Sequence, residues 1–285
     1  MERIAAELAA EAAVQCRRPA AESAEAVHRS RLVIKRFRAL LRLAGPALGK
    51  SLVRREDARL RRAAHRLAFA REASVGLATL DRLARRPRRA SDPVHRVREG
   101  FAQSVHDAAT ASTAVVRGLT GVAKATRATA NALGSAGWQR HGWDALGAGL
   151  RRGYRRARRR FKHAHTGDTA ACFHDWRIAA KSLLYQVSLL HPAAPARLDL
   201  LLSRLDQLQA ALGEEHDLAV LASRLEASPE TYGGWDCVKP TLRRINARQQ
   251  TLRKQALKLG RRLLARRPAE FAADLHRAWR RWRGR

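Results

Sequence analysis

The chain of 285 residues carries 57 Lys and Arg against 25 Asp and Glu, a formal net charge of +32 with a pI near 11.7. Its hydrophobic content of 46% is sufficient for a packed core, which indicates a globular protein. Because so much like charge repels itself unless a polyanion neutralises it, we expect an acidic partner. Only eight of the 57 basic residues are Lys, and the planar fork of Arg favours phosphate oxygens. Aromatic residues make up 5% and do not alternate with the basic runs, which argues against base recognition.

The three cysteines, Cys16, Cys172 and Cys237, lie far apart in the sequence. This spacing fits neither a zinc site nor a disulfide framework, so it predicts reduced thiols in a cytoplasmic protein with no metal. The first 16 residues are acidic and Ala-rich, unlike the basic leader of a signal peptide. Since no apolar run reaches membrane-spanning length, we also expect no membrane partner.

Helical periodicity runs along the whole chain, without an alternating β-branched run, and predicts an all-α fold of about eight to ten helices. One helix should begin near Ser23 and end at Gly45-Pro46. The Gly-rich segment 133–149, "LGSAGWQRHGWDALGAG", is the best candidate for an internal linker.

An internal repeat defines the expected domain organisation. The segment "VHRSRLVIKRFRALLRL" (27–43) aligns without a gap with "FHDWRIAAKSLLYQVSL" (173–189), and 67–80 aligns with 212–225 at almost the same separation. We therefore expect two homologous halves, residues 1–132 and 150–285, each a four-helix bundle, joined by the linker 133–149.

Two basic stripes stand at matching positions of the repeat. His28, Arg31, Lys35, Arg38 and Arg42 fall within an arc of roughly 80° on a helical wheel, opposite an apolar face. In the second half, His174, Arg177, Lys181 and Tyr185 occupy the matching arc. A solvated face would explain a single stripe, but two stripes with the same H-x-x-R-x-x-x-K spacing favour a surface that binds one regularly charged ligand.

A third stripe, in "LRRGYRRARRRFKHAH" (150–165), consists of Arg151, Arg155, Arg158 and Lys162 at helical steps of four, three and four. Its counterpart in the first half is acidic and Ala-rich, so the two halves are not equivalent toward a ligand. A solvated face or a loose nucleic-acid patch would explain this run as well as a specific site does.

Signals for an enzyme are weak. The segment "GPALGKS" (45–51) resembles a phosphate-binding Walker loop, but its glycines are one residue too close and a helix precedes it. The segment "EEHD" (214–217) could hold Mg²⁺, although we expect its carboxylates to pair with Arg across the bundle. The histidines lack metal-ligand spacing, and we interpret His28 and His174 as phosphate donors, with ordinary structural roles as the alternative.

The two motifs "HRSRLVIKRFR" (28–38) and "HDWRIAAKSLLY" (174–185) resemble those of the CHAD family, the conserved histidine α-helical domain. The segments 149–161 and 212–221 are also similar to family sequences, and the resemblance covers roughly residues 20–285. Ser182 and Leu184 depart from the basic residues usual in the second motif. No E-x-E-x-K signature of a fused triphosphate tunnel domain occurs, which resembles the stand-alone form.

The resemblance implies two antiparallel four-helix bundles related by a pseudo-twofold axis, with a central basic cleft or pore that binds inorganic polyphosphate. It also implies association with polyphosphate granules and their proteins, no catalytic activity and no cofactor. The residues expected to contact polyphosphate are His28, Arg31, Lys35, Arg36, Arg38, Arg42, Arg151, Arg155, Arg158, Lys162, His174, Arg177, Lys181 and Tyr185.

Two other functions stay open. A nucleic-acid-binding or nucleoid-associated protein would need no more than the overall charge, with contacts that are not sequence-specific. A phosphohydrolase or polyphosphate kinase is the alternative from the enzyme class, and it lacks a supporting motif.

Overall fold

The computed structural model describes residues 1–18, 23–67, 69–84, 92–108 and 112–283. Within these residues the regular structure is entirely helical, so the all-α prediction is confirmed. The side chains of 69–75, in the repeated block 67–80, lie outside the described part. The helices are α1 (Glu2–Cys16), α2 (Ser23–Leu48), α3 (Lys50–His65), α4 (Phe69–Leu83), α5 (Pro93–Ala108), α6 (Ser112–Gly134), α7 (Gly142–Gly167), α8 (Ala170–Leu190), α9 (Pro195–Ala227), α10 (Gly234–Leu263) and α11 (Pro268–Arg283).

The helix boundaries correct three expectations. The described ranges hold eleven α-helices, six before residue 135 and five after residue 141, where about eight to ten, four to a half, were expected. Helix α2 continues through Pro46 and ends at Leu48, because the residue that turns the chain is Gly49, whose φ of 82° favours glycine. Of the expected linker 133–149, only 135–141 lies between helices, and residues 142–149 form the first two turns of α7.

Helices α2, α7 and α8 contact one another in the middle of the molecule. Helix α1 packs on α2 and α6, α9 packs on α8 and α10, and α11 packs on α7. The apolar face of α2 is buried as its sequence pattern predicts, and it joins one continuous hydrophobic core. The buried residues on this face are Val27, Val33, Ile34, Phe37, Leu40, Leu41 and Ala44.

Glycines on α7 allow its neighbours to approach closely. A Cβ at Gly149 would lie 2.6 Å from the carbonyl carbon of Leu43 on α2 and closer still to its oxygen. A Cβ at Gly153 would lie 3.0 Å from Cδ of Gln186 on α8. Since these two glycines stand one helical turn apart, they form one smooth face, and this face sets the separation of α7 from both central helices.

Helix α11 contains the basic residues near the carboxyl end of the described chain. Phe271 stacks on Tyr154 of α7 with ring centroids 4.1 Å apart, and Trp279 packs against the core. Trp282 is 45% exposed. The helix is therefore fixed to α7 by its apolar face, and its last turn carries Arg280, Arg281 and Arg283.

Candidate functional site

The basic stripe of α2 faces α3. Arg38 donates two hydrogen bonds to the carboxylate of Asp57, from Nε at 2.7 Å and from Nη2 at 3.3 Å. Arg31 donates from Nη1 to the carbonyl oxygens of Ala64 and Leu67, at 3.4 and 3.3 Å, and so caps the carboxyl end of α3. These two arginines therefore already have partners within the fold.

His28, Lys35 and Arg36 are three more of the predicted residues on α2. Their side chains range from exposed for His28 to half-buried for Lys35 and Arg36. Arg36 lies on another face, where its Nη1 atom donates to Glu11 of α1 at 3.3 Å.

The stripe of α8 faces α9. The Nδ1 atoms of His174 and His216 lie 3.1 Å apart, with ring centroids at 4.5 Å. Burial raises the pKa of Glu215, and the positive charges of Arg253 and then Arg177 partly offset this shift. Burial likewise raises the pKa of Asp206, and Lys181 opposes it. Tyr185 is half-buried on the same helix. This stripe therefore lies against acidic and imidazole groups of α9.

The predicted stripe on α7 faces away from α2. Arg158 donates from Nε to the carbonyl oxygen of Leu264 at 3.1 Å, just after the carboxyl end of α10. Arg151 lines a cavity beside α11, and Arg155 and Lys162 are exposed. These four predicted residues of α7 therefore do not share a surface with Arg42 of α2.

The arginines of α7 that do join Arg42 are Arg152 and Arg156, which sequence reasoning missed. They lie with Arg42 on the wall of an open cavity of about 590 Å³, here called the α2–α7 cavity. Basic residues cover the whole exposed side of this Arg-rich helix, so charge spacing alone could not identify which of them line a cavity. A usable signal was the glycine pair Gly149 and Gly153, which marks the close-packed face beside them.

Five basic side chains line the α2–α7 cavity, and none of its described lining residues is acidic. Its floor includes Ala179 and Ser182 of α8 in addition to the two glycines. The small floor leaves the long basic side chains at the rim, where four of the five are exposed to solvent. The basic residues are Arg42, Lys50, Arg140, Arg152 and Arg156.

The segment 45–51 also contributes to this cavity, although it is not a Walker loop. Gly45, Pro46, Gly49 and Lys50 belong to the lining, at the junction where α3 begins. The N-cap residue Gly49 provides no side-chain hydrogen bond to the first turn of α3. Backbone N–H groups at this helix start therefore add to the positive potential that Lys50 and the arginines create.

Of these five basic residues, Arg42 is the one whose side chain is partly buried. Burial, with a further contribution from Arg38, lowers the pKa of Arg42 to about 10, and Asp57 only partly offsets this. Arg42 donates from Nη1 to Oγ of Ser182 at 3.3 Å, while its Nη2 atom lies 3.7 Å from Asp57. Arg61 and Arg38 pair with the same carboxylate. One acidic group thus serves three arginines, so it only partly neutralises Arg42, the one of the three that lines the cavity.

The acidic segment 214–217 has the structural role that its sequence predicts. Each of its three carboxylates pairs with an arginine from another helix, and the tightest pair is the bidentate one between Glu214 and Arg248 at 2.7 and 3.0 Å. Glu215 accepts two hydrogen bonds from Arg253, at 3.0 and 2.8 Å, and Asp217 lies 3.5 Å from Arg82. In the described ranges, no three His, Cys, Asp or Glu side chains are grouped to hold a metal ion.

None of the helices in the part of the chain that the structure covers is long and apolar enough to cross a bilayer. A search of curated proteins and a search of solved structures gave no match to the chain. The family model of the CHAD domain matches residues 3–226, more than three quarters of the sequence. This match agrees with the paired motifs on α2 and α8, and the chain therefore belongs to the CHAD family.

Proposed function

We propose that this protein is a non-enzymatic binder of inorganic polyphosphate and that the α2–α7 cavity holds part of the phosphate chain. The observation that carries the proposal is a cavity with five basic side chains and no acidic one among its described lining residues. The CHAD family is associated with polyphosphate binding, which agrees with this chemistry.

Several features of the cavity favour a chain of phosphates over other acidic ligands. Four of its five basic residues are arginines, whose paired N–H groups match two oxygens of one phosphate. The start of α3 adds backbone donors of the kind that bind phosphate at helix N-termini. Its described lining contains no aromatic side chain on which a base could stack. These properties suit a linear ligand made of phosphate alone.

The helix contacts support a pseudo-twofold arrangement of two homologous halves. Helix α2 contacts α8, its counterpart in the repeat, and α5 contacts α10, which contains 239–254, the range that α5 would occupy when shifted by the repeat separation of 146. Helix α1 packs on α2 and α6, and its counterpart α7 packs on α8 and α11. Equivalent helices meet in this way beside a twofold axis.

The charges of the two halves differ, and this difference would direct the ligand to one side. Arg36, the repeat counterpart of Ser182, pairs with Glu11 on α1 at 3.3 Å. On the α7 side the corresponding helix is Arg-rich, and Arg42 faces Ser182. We infer that the α2–α7 cavity is the basic cleft of this protein, and that binding there would bring it to polyphosphate granules in the cytoplasm.

A competition experiment tests the proposal against nucleic-acid binding. Wild-type protein should retain fluorescent long-chain polyphosphate in the presence of excess duplex DNA. The variant Arg152→Ala/Arg156→Ala should lose about tenfold in affinity at physiological salt. The reason is that two phosphate contacts contribute about 1.4 to the slope of log affinity against log salt concentration.

The matched control is Arg155→Ala/Arg159→Ala, which removes the same charge from exposed positions of the same helix. This control should lose at most about threefold in affinity for polyphosphate, because it reduces only the overall positive potential of the protein. Equal losses in the two double variants, or displacement of polyphosphate by DNA, would show that the cavity is not the binding site. Release of phosphate from the chain in the presence of Mg²⁺ or Mn²⁺ would refute the non-enzymatic part.

A further inference from the structure

A second cavity lies around the start of α7, beside the α2–α7 cavity. It has a volume of about 630 Å³ and lies between the first turns of α7 and α11; we call it the Trp143 cavity. Arg140 and Ala148 line both cavities, so the two spaces meet at the first turns of α7. Arg140 therefore lies where the two cavities adjoin.

The Trp143 cavity contains the aromatic surface that the α2–α7 cavity lacks. The rings of Trp143 and His276 stack with centroids 5.0 Å apart and an angle of 3° between their planes. Trp279 lies against the same indole at 6.2 Å. Although aromatic residues are scarce in the sequence, four of the six tryptophans lie at this end of the molecule. Besides Trp143 and Trp279, these are Trp138 and Trp282.

The position of Trp143 is fixed by its own helix. A Cβ at Gly147, one turn later on α7, would lie 2.8 Å from Cε2 of the indole and closer to Nε1. The ring therefore lies against bare backbone on α7, next to His276 of α11. Such a ring pair is held in place before any ligand arrives, which lowers the entropy cost of stacking a planar group on it.

The charged groups of this cavity suit a ligand with more than phosphate. Asp144, which is exposed, belongs to the lining together with Arg140 and Arg151. A carboxylate repels a phosphate chain, and at neutral pH the inner phosphates of such a chain have no hydrogen to donate to it. Ribose hydroxyls and the amino group of a base do have such hydrogens. The carboxylate and the ring pair therefore both favour a nucleoside.

We propose that the Trp143 cavity binds the nucleoside of a nucleoside polyphosphate, whose phosphates extend past Arg140 into the α2–α7 cavity. The base stacks on the Trp143–His276 pair, and Asp144 accepts hydrogen bonds from the ribose. This inference rests on the proposed function for the phosphate part, while the nucleoside part rests on residues that the phosphate chain does not use.

Calorimetric titration with inorganic tetraphosphate and with adenosine 5′-tetraphosphate tests the inference. Wild-type protein should bind the adenosine compound about tenfold more tightly, the effect of one base stacked on an aromatic side chain. In Trp143→Leu the two affinities should become equal, with the affinity for inorganic tetraphosphate unchanged. Equal affinities in the wild type, or a tenfold preference that survives in Trp143→Leu, would overturn the inference.

A second variant avoids disturbing the core. Asp144→Ala changes an exposed residue and should weaken adenosine tetraphosphate several-fold without weakening inorganic tetraphosphate; equal effects on the two ligands would contradict the ribose contact. Arg152→Ala/Arg156→Ala separates the two proposals. If it weakens both ligands equally, the phosphates occupy the α2–α7 cavity; if it affects neither while the preference for adenosine persists, the proposed function fails and the nucleoside site stands.

Discussion

Gly149→Ala tests whether the close contact of α2 with α7 forms the base of the α2–α7 cavity. The added Cβ would lie 2.6 Å from the Leu43 carbonyl carbon. Since carbon atoms make favourable contact at about 3.5 Å and the carbonyl oxygen lies closer still, the helices must separate by at least about 1 Å. Overpacking costs about 1–3 kcal/mol, and the upper part of that range applies because the obstacle is backbone. Alanine regains about 1 kcal/mol of helix propensity. The free energy of unfolding should therefore fall by about 1–2 kcal/mol.

Gly213→Ala provides the matched control for this measurement. Gly213 lies within α9, and a Cβ there meets no atom within 4 Å. This variant should be more stable than wild type by about 0.5–1 kcal/mol, because only the helix propensity changes. Urea unfolding followed by circular dichroism gives both values. If Gly149→Ala stabilises the protein as Gly213→Ala does, α2 and α7 do not approach as described, and the geometry of the cavity is wrong.

Three further predictions concern charge. Arg42→Met should raise the free energy of unfolding by about 1–2 kcal/mol while weakening polyphosphate binding, because it removes a partly buried charge that the ligand would neutralise; a loss of stability in urea would contradict this. The pKa of Arg42, near 10, lies below its ordinary value, so the unfavourable charge is fully present below pH 10 and is lost as the pH rises through the pKa. The stability difference between wild type and Arg42→Met should accordingly narrow above pH 10, and a constant difference from pH 8 to 11 would refute the assigned shift. Arg253→Met should lower the free energy of unfolding by about 3 kcal/mol or more, because it leaves Glu215 buried without its ion pair. Arg248→Met should lower it by only about 1 kcal/mol, because Glu214 retains contact with solvent. Equal urea midpoints for the two variants would show that the burial of Glu215 does not matter.

The fold class, the family and the pairing of the acidic segment 214–217 could be predicted from the amino-acid sequence. Helical periodicity is a local property that each segment carries alone, so the all-α prediction needed no knowledge of packing. The motifs on α2 and α8 likewise identified the CHAD family without coordinates. The apolar face of α2 was also readable, because hydrophobic spacing fixes which side of a helix is buried.

Which basic residues share a surface depends instead on how the helices pack. On α7 arginines cover the exposed side of the helix, so the choice of Arg152 and Arg156 over Arg151 and Arg155 depends on how the glycine face packs against α2 and α8. The position of Lys50 depends on the turn at Gly49. The tryptophans meet at one end because α11 returns to the start of α7, a contact between segments more than 100 residues apart. Such long-range contacts arise from the packing of whole helices, which local patterns of charge and hydrophobicity do not specify.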